Sequence, residues 1–196
     1  MNLPNIRRYL ARRITDPIVG TLSKSGITPN ALTIINLVLS IFAAYVIATG
    51  HFLVSGVLVL FSGLFDLLDG ALARFTKQST KFGAILDSTV DRISEAAVLC
   101  GLLIWYLSQG AGLEIVLIFT ALIGSFMVSY IRARAEGLGW QCQVGLFTRA
   151  ERVIVLAIGL LINQTFIALC VVVVFALITA LQRLVYLRKQ AKRLGD

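Results

Sequence analysis

Six stretches of the chain are predominantly apolar, and their length constrains the fold more than any other feature. Short polar interruptions separate them, and they cover Leu32–Thr49, Phe52–Phe75, Phe82–Gln109, Leu113–Gly137, Gly145–Ile162 and Thr165–Leu184. Several reach the roughly 20 residues that a helix needs to cross about 30 Å of hydrocarbon. Only 14% of the residues are charged, against about a quarter in a soluble domain. The sequence therefore predicts an all-α integral membrane protein with six transmembrane helices.

The basic residues are confined to the N-terminal region, the C-terminal region and alternate connections between the apolar stretches. All 18 Lys and Arg fall in four groups, at residues 7–24, 74–92, 132–152 and 183–193. Because cytoplasmic loops of membrane proteins are rich in Lys and Arg, we expect a multi-pass protein of the cell (plasma) membrane with both termini in the cytoplasm. The formal net charge of +8 then fits contact with anionic membrane lipids, with no nucleic acid as partner.

The chain before residue 29 has a different pattern. Apolar residues recur there at helical spacing with arginines between them, which predicts an amphipathic helix lying along the cytoplasmic membrane interface. No linker long enough to separate two globular domains is apparent. We expect a single membrane domain over residues 1–196, with the interfacial helix in 1–28, a six-helix bundle in 29–188 and a basic cytoplasmic tail in 189–196.

Acidic residues are few, yet five of the ten lie in or beside the second and third apolar stretches: Asp66, Asp69, Asp87, Asp91 and Glu95. A carboxylate that faces lipid is costly, so these groups should face one another, a cation or a water-filled cavity. Spacings of three and four residues place each pair of aspartates on one face of its helix. The short basic connection between the two stretches makes their helices antiparallel neighbours, which can bring the four aspartates together.

Four carboxylates at close range repel one another unless protons or metal ions neutralise them. A site built of oxygen alone suits Mg²⁺ or Mn²⁺, and one His with three scattered Cys is too little for zinc. The sequence therefore predicts a divalent-cation site. The alternative is a buried ionic network in which the aspartates pair with Arg74, Lys81 or Arg92.

The aspartates belong to a longer motif with eight positions at fixed separations. Its residues are Asp66, Asp69, Gly70, Ala73, Arg74, Gly83, Asp87 and Asp91. This motif resembles the signature of the CDP-alcohol phosphatidyltransferase family, and the six-span length of the chain is similar to that family as well. The resemblance implies a metal-dependent membrane enzyme, a homodimer, that moves a phosphatidyl group from a CDP-linked lipid to a hydroxyl acceptor and releases CMP.

The resemblance also implies roles for individual residues. Asp66, Asp69 and Asp87 would hold Mg²⁺ or Mn²⁺, two ions in all, and Asp91 would bind metal and act as the general base. The residues implied for CDP-lipid binding are Pro29, Asn30, Ala31, Leu32, Gly70, Ala73, Arg74, Thr80 and Gly83. Two alternatives stay open, because small residues also serve close helix packing in membranes and Thr80 is equally suited to cap the third helix.

Four arginines follow the fourth apolar stretch, namely Arg132, Arg134, Arg149 and Arg152. Their guanidinium groups suit a phosphate on the acceptor, although simple anchors on the cytoplasmic side would have the same charge. The pattern resembles the phosphatidylinositol-phosphate synthase branch of the family, with Arg132 at a position where Lys is expected.

The function implied by this resemblance is transfer from CDP-diacylglycerol to inositol 1-phosphate, which gives phosphatidylinositol phosphate and CMP in phospholipid biosynthesis at a site facing the cytoplasm. The same chemistry with glycerol 3-phosphate, as in a phosphatidylglycerophosphate synthase, is the alternative within the family. A cation transporter is the alternative of a different class. It is disfavoured because a route across the membrane needs polar residues in both halves, whereas the charged residues cluster on one side.

Overall fold

The computed structural model describes residues 18–24 and 26–194, and no strand occurs among them. Residues 18–22 are helical. Six longer helices follow, which are α1 (Pro29–Ala48), α2 (Phe52–Phe75), α3 (Lys81–Ser108), α4 (Gly112–Gly137), α5 (Arg149–Leu161) and α6 (Thr165–Leu194). The predicted all-α fold is confirmed, whereas most of the predicted interfacial helix lies outside the described residues.

Side-chain caps fix where three of the helices begin. Thr28 accepts a hydrogen bond from a backbone N–H in the first turn of α1, and Thr80 accepts one from the Gly83 N–H at 2.9 Å at the start of α3. At the start of α5, Thr148 and Glu151 form a capping box. Ser and Thr are favoured at these positions because their oxygens satisfy the free N–H groups of the first turn. The capping alternative for Thr80 is thus observed.

Four helices, α1, α2, α4 and α6, are long and apolar enough to cross a membrane. Helix α3 has the length but is charged in its first half. Helix α5 has 13 residues, about 20 Å, which is short for a hydrocarbon layer of about 30 Å. The predicted fifth span begins at Gly145, four residues before α5. Gly145 has a φ of +147°, far from helical values, so the helix cannot include it. The count of six spans stays a prediction.

The closely packed helix pairs form a closed ring. Helix α1 packs against α2 and α3, α2 against α5, α5 against α6, α6 against α4, and α4 against α3. Helices α2 and α3, expected to be antiparallel neighbours, are not among the closely packed pairs, although their aspartates meet. Helix α1 packs against both, and Gly101 of α3 lies so close to the Ala44 backbone of α1 that a Cβ atom there would overlap it.

The two ends of the ring differ in character. At one end, Phe52 and Trp105 contact edge to face with ring centroids 5.3 Å apart, and Tyr106 hydrogen-bonds to Thr165. An apolar core with residues from all six helices fills the interior toward this end. The connections at 76–80 and 138–148 lie at the opposite end, together with the aspartates and the Lys and Arg residues from 74 to 193.

Candidate active site

Three of the predicted metal ligands lie together in the gap between α2 and α3. Asp66, Asp69 and Asp87 each offer a carboxylate oxygen, and these three oxygens lie within 4.8 Å of one another. Asp66 and Asp69 are one helical turn apart on α2, and Asp87 faces them from the first half of α3. This set of oxygen ligands fits a hard divalent cation such as Mg²⁺ or Mn²⁺.

Asp69 is the most buried of these residues, with 3% of its surface exposed. Its Oδ2 accepts a hydrogen bond of 2.8 Å from the Thr33 hydroxyl on α1, which fixes the orientation of the carboxylate. Groups that orient a metal ligand in this way contribute to metal affinity. Thr33 is not one of the eight motif positions, but it directly follows residues 29–32, which were predicted to bind the CDP-lipid.

Asp91, the predicted base, lies beside this group and is connected to it through Arg149 of α5. The Arg149 Nη1 donates to Asp66 Oδ1 at 2.5 Å and lies 2.6 Å from Asp91 Oδ1. Asp91 Oδ1 is buried and makes no hydrogen bond, because the guanidinium is directed at Asp66. Arg149 thus holds the carboxylates of Asp66 and Asp91 next to each other.

The aspartates do form ion pairs, as considered from the sequence, but mostly with a different arginine. Arg92 Nη1 lies 3.8 Å from Asp91 Oδ2. Neither Arg74 nor Lys81 forms an ion pair with an aspartate in the part of the chain that the structure describes. The principal cation at the aspartates is Arg149, which is distant from them in sequence.

A polar cavity of about 170 Å³ opens beside Asp69 and Asp87 at the charged end of the ring. Its lining includes seven of the nine residues predicted to bind the CDP-lipid, namely Pro29, Asn30, Gly70, Ala73, Arg74, Thr80 and Gly83. Gly83 is tightly placed, since a Cβ atom there would lie 3.0 Å from Thr80 Oγ1. Ala31 and Leu32 do not line the cavity. Leu32 is buried instead with Val19 and Leu72.

A second cavity, of about 260 Å³, lies mainly between α2 and α5 and is lined largely by apolar side chains such as Val59, Leu60 and Val153. Its polar lining includes Asp66 and Arg149. The apolar cavity therefore borders the carboxylate group at Asp66.

A third cavity, a cleft of about 830 Å³, lies between the first half of α3 and the end of α4. Asp87 and Asp91 line one wall, and Ser129, Arg132 and Glu136 line the other. Arg132 Nε donates to Glu136 Oε1 at 2.8 Å, and both side chains are about half exposed. A guanidinium therefore faces the cleft that contains the predicted base.

The four predicted acceptor arginines do not share one pocket. Arg132 lines the cleft, whereas Arg134 is exposed and lines none of the three cavities, because residues two apart point to different sides of a helix. Arg149 contacts the aspartates. Arg152 is 1% exposed and donates to both carboxylate oxygens of Glu95, at 2.6 and 2.8 Å.

A further arginine, which the sequence analysis did not single out, lies near this region. Arg183 of α6 is 4% exposed and donates to the backbone carbonyls of Val144 and Val128. Its positive charge lies close enough to those of Arg132 and Arg152 to be repelled by them. Its position in a basic C-terminal cluster made it indistinguishable by sequence from an arginine that anchors the chain at the membrane surface.

A family model described as CDP-alcohol phosphatidyltransferase matches residues 26–182, which is most of the chain. The chain belongs to the CDP-alcohol phosphatidyltransferase family. Relatives of this phosphatidyltransferase include the archaetidylinositol phosphate synthase of Pyrococcus horikoshii, 38% identical over 98% of this chain and 97% of the relative. The phosphatidylinositol phosphate synthase of Mycobacteroides abscessus is 36% identical over 91% of this chain and 86% of the relative.

Solved structures similar to this phosphatidyltransferase include two of the Mycobacterium tuberculosis phosphatidylinositol phosphate synthase. The crystal structure with CDP-DAG bound matches with a TM-score of 0.79 and 35% identity, over 88% of this chain and 92% of that one. The crystal structure in complex with manganese and citrate matches with a TM-score of 0.78 and 35% identity, over 87% of each chain.

The predicted family, enzyme class and membrane fold of this phosphatidyltransferase are confirmed. The donor and cation predicted from the sequence agree with the ligands named for the similar structures, and the predicted acceptor agrees with the names of the relatives. The roles of single residues, the homodimer, the domain bounds and the cytoplasmic orientation stay predictions.

Proposed function

We propose that the chain transfers the phosphatidyl group of CDP-diacylglycerol to inositol 1-phosphate and releases CMP. The observation that carries the proposal is that the aspartates lie where three cavities of different chemistry meet. The polar cavity beside Asp69 suits a nucleotide, the apolar cavity at Asp66 suits lipid chains, and the cleft at Asp91 suits a phosphorylated acceptor. A CDP-lipid that fills the first two cavities has its diphosphate at the carboxylate group.

The carboxylate oxygens of Asp66, Asp69 and Asp87 would hold the divalent cation, with Asp91 adjacent. Four close carboxylates and a diphosphate require positive charge between them, and the oxygen ligands fit Mg²⁺ or Mn²⁺. A bound divalent ion supplies charge stabilisation to the phosphate oxygens during the transfer. Thr33 holds Asp69 in orientation through its hydrogen bond.

Asp91 is the proposed base. Asp91 lines the cleft, where its carboxylate can accept the proton of the acceptor hydroxyl. The hydroxyl oxygen then forms a bond to the phosphorus that carries the diacylglycerol. The bond from that phosphorus to the oxygen bridging to CMP breaks, and CMP leaves with the bond's electron pair.

Arg132 is the proposed first contact for the acceptor phosphate, because it faces Asp91 across the cleft. Its ion pair with Glu136 is exposed, and such pairs contribute little, so a phosphate can replace the carboxylate. Arg183, which donates only to backbone carbonyls among the described residues, lies close enough to Arg132 to interact with it electrostatically. Positive charge at the cleft favours a phosphorylated acceptor over a neutral one.

Inositol phosphate is proposed ahead of glycerol 3-phosphate because the relatives in bacteria and archaea have inositol phosphate in common in their names. Their names differ in the lipid part. CDP-diacylglycerol is the proposed donor because a structure 35% identical to this chain has CDP-DAG bound.

We also propose that the protein lies in the plasma membrane with both termini and the active site on the cytoplasmic side. The support is that the aspartates share one end of the ring with the basic clusters at 74–92, 132–152 and 183–193, and basic ends favour the cytoplasm. Six spans, in one domain over residues 1–196 with its tail at 189–196, and a homodimer belong to the same proposal. Cysteine labelling of engineered loops in intact cells tests the orientation, and cross-linking in membranes tests the dimer.

An acceptor panel tests the proposed reaction. Full-length protein in nanodiscs is incubated with CDP-diacylglycerol, Mg²⁺ or Mn²⁺, and one of inositol 1-phosphate, inositol, glycerol 3-phosphate or serine. We expect CMP release with inositol 1-phosphate and its loss on chelation of the metal. Release with glycerol 3-phosphate alone would identify glycerol 3-phosphate as the acceptor in place of inositol 1-phosphate. No release with any acceptor would refute the transferase proposal for this chain. Divalent-cation flux in proteoliposomes, independent of CDP-lipid, would support the transporter instead.

A further inference from the structure

Glu95 and Arg152 form a buried ion pair at the edge of the candidate site. The Arg152 Nε and Nη2 donate to the two carboxylate oxygens of Glu95 at 2.6 and 2.8 Å. The side chains are 1% and 5% exposed for Arg152 and Glu95, respectively. Glu95 lies one turn beyond Asp91 on α3, and Arg152 lies one turn beyond Arg149 on α5. Glu95 is not one of the eight motif positions.

The pair spans a gap in the ring of helices. Helices α3 and α5 are not among the closely packed pairs, and Glu95 lines the apolar cavity near α5. Two ionic contacts connect the helices there, the one between Arg149 and Asp91 and the one between Arg152 and Glu95. A buried ion pair is usually no more stabilising than apolar residues of the same size. A role for the pair other than stability is therefore worth testing.

The orientation of Arg152 indicates that role. With Nε and Nη2 held by Glu95, its Nη1 is buried and makes no hydrogen bond. Arg183, which is also buried, interacts electrostatically with Arg152 and Arg132. Glu95 is the only buried acidic residue that hydrogen-bonds to either buried guanidinium in the part of the chain that the structure describes. The Arg152 Nη1 thus remains as a buried donor that an anion can accept from.

We propose that Glu95 is a positioning residue, which holds the Arg152 guanidinium so that its Nη1 is directed at the phosphate of the acceptor. This inference rests on the proposed function, because it requires a phosphorylated acceptor. Glu95 does not touch the substrate. Its carboxylate fixes two of the three donor groups of the arginine, and the third is available to the acceptor.

The test is a double-mutant cycle with Glu95→Gln and Arg152→Met in the full-length protein in nanodiscs. CMP release is measured against the concentration of whichever phosphorylated acceptor the wild type uses, and separately against CDP-diacylglycerol. Glu95→Gln should raise the KM of the acceptor about tenfold, as expected when the partner of a functional side chain is removed, and leave the KM of CDP-diacylglycerol unchanged. Glu114→Gln, the same change in the first turn of α4, is the matched control and should change neither value.

If Glu95 acts through Arg152, the double variant should have the same acceptor KM as Arg152→Met alone, because the two changes remove one interaction. Independent effects that multiply would overturn the proposal. An unchanged acceptor KM in Glu95→Gln, with an active wild type, would also overturn it and leave the proposed function intact. If Glu95→Gln fails to fold while the double variant folds, the pair is a structural ion pair and the proposal fails. An inactive wild type with every phosphorylated acceptor would instead refute the proposed function.

Discussion

The hydrogen bond from Thr33 to Asp69 gives a quantitative test of the cation site. Thr33→Val replaces the hydroxyl by a methyl group of similar size and leaves Asp69 Oδ2, which is buried and accepts at 2.8 Å, without this donor. A hydrogen bond to a charged group contributes about 1.5–3 kcal/mol, and about 1.4 kcal/mol corresponds to a factor of ten in an equilibrium constant. We therefore expect the affinity for Mn²⁺ to fall by roughly 10- to 100-fold, the range found for partners of metal ligands.

The affinity is measured in two ways. Electron paramagnetic resonance of free Mn²⁺ reports binding to the purified protein without substrate, and CMP release against Mn²⁺ concentration gives the half-saturating value. Thr120→Val is the matched control, because its hydroxyl donates to the Val116 carbonyl on the exposed side of α4. Equal Mn²⁺ affinity in Thr33→Val and wild type, or an equal loss in both variants, would refute the reasoning.

Three further outcomes are expected. Asp91→Asn should lower the turnover by at least roughly 100-fold, the usual contribution of a general base, and preserve CDP-lipid binding in an equilibrium assay; unchanged turnover would remove Asp91 as the base. Gly83→Ala places a Cβ atom 3.0 Å from Thr80 Oγ1 and should raise the KM of the CDP-lipid without changing that of the acceptor, whereas equal changes in both would indicate general misfolding. Arg132→Gln should raise the KM of inositol 1-phosphate more than Arg134→Gln does, because only Arg132 lines the cleft; the reverse order would place the acceptor elsewhere.

The elements of the fold were largely predictable because their signals are local. Apolar length predicted six helices, and the observed bounds of α2 match the predicted Phe52–Phe75. The start of α5 was misplaced because the apolar pattern continues through Gly145, whereas the helix begins only after the capping box at Thr148. The packing order of the helices was not predictable in the same way. It depends on close contacts such as that between Gly101 and Ala44, which involve residues far apart in sequence.

By itself, the sequence determined the membrane fold, from the length of the apolar stretches, and the family, from the eight-position motif. It also indicated which aspartates lie together on each helix, because spacing along one helix decides which residues share a face. Only the tertiary structure decided how other residues join them. Thr33 is 36 residues from Asp69, and Arg149 is 83 residues from Asp66. The four arginines that resembled one phosphate site in the sequence lie in different surroundings. The physical reason is that the packing of the six-helix ring, rather than separation along the chain, decides which charged side chains meet.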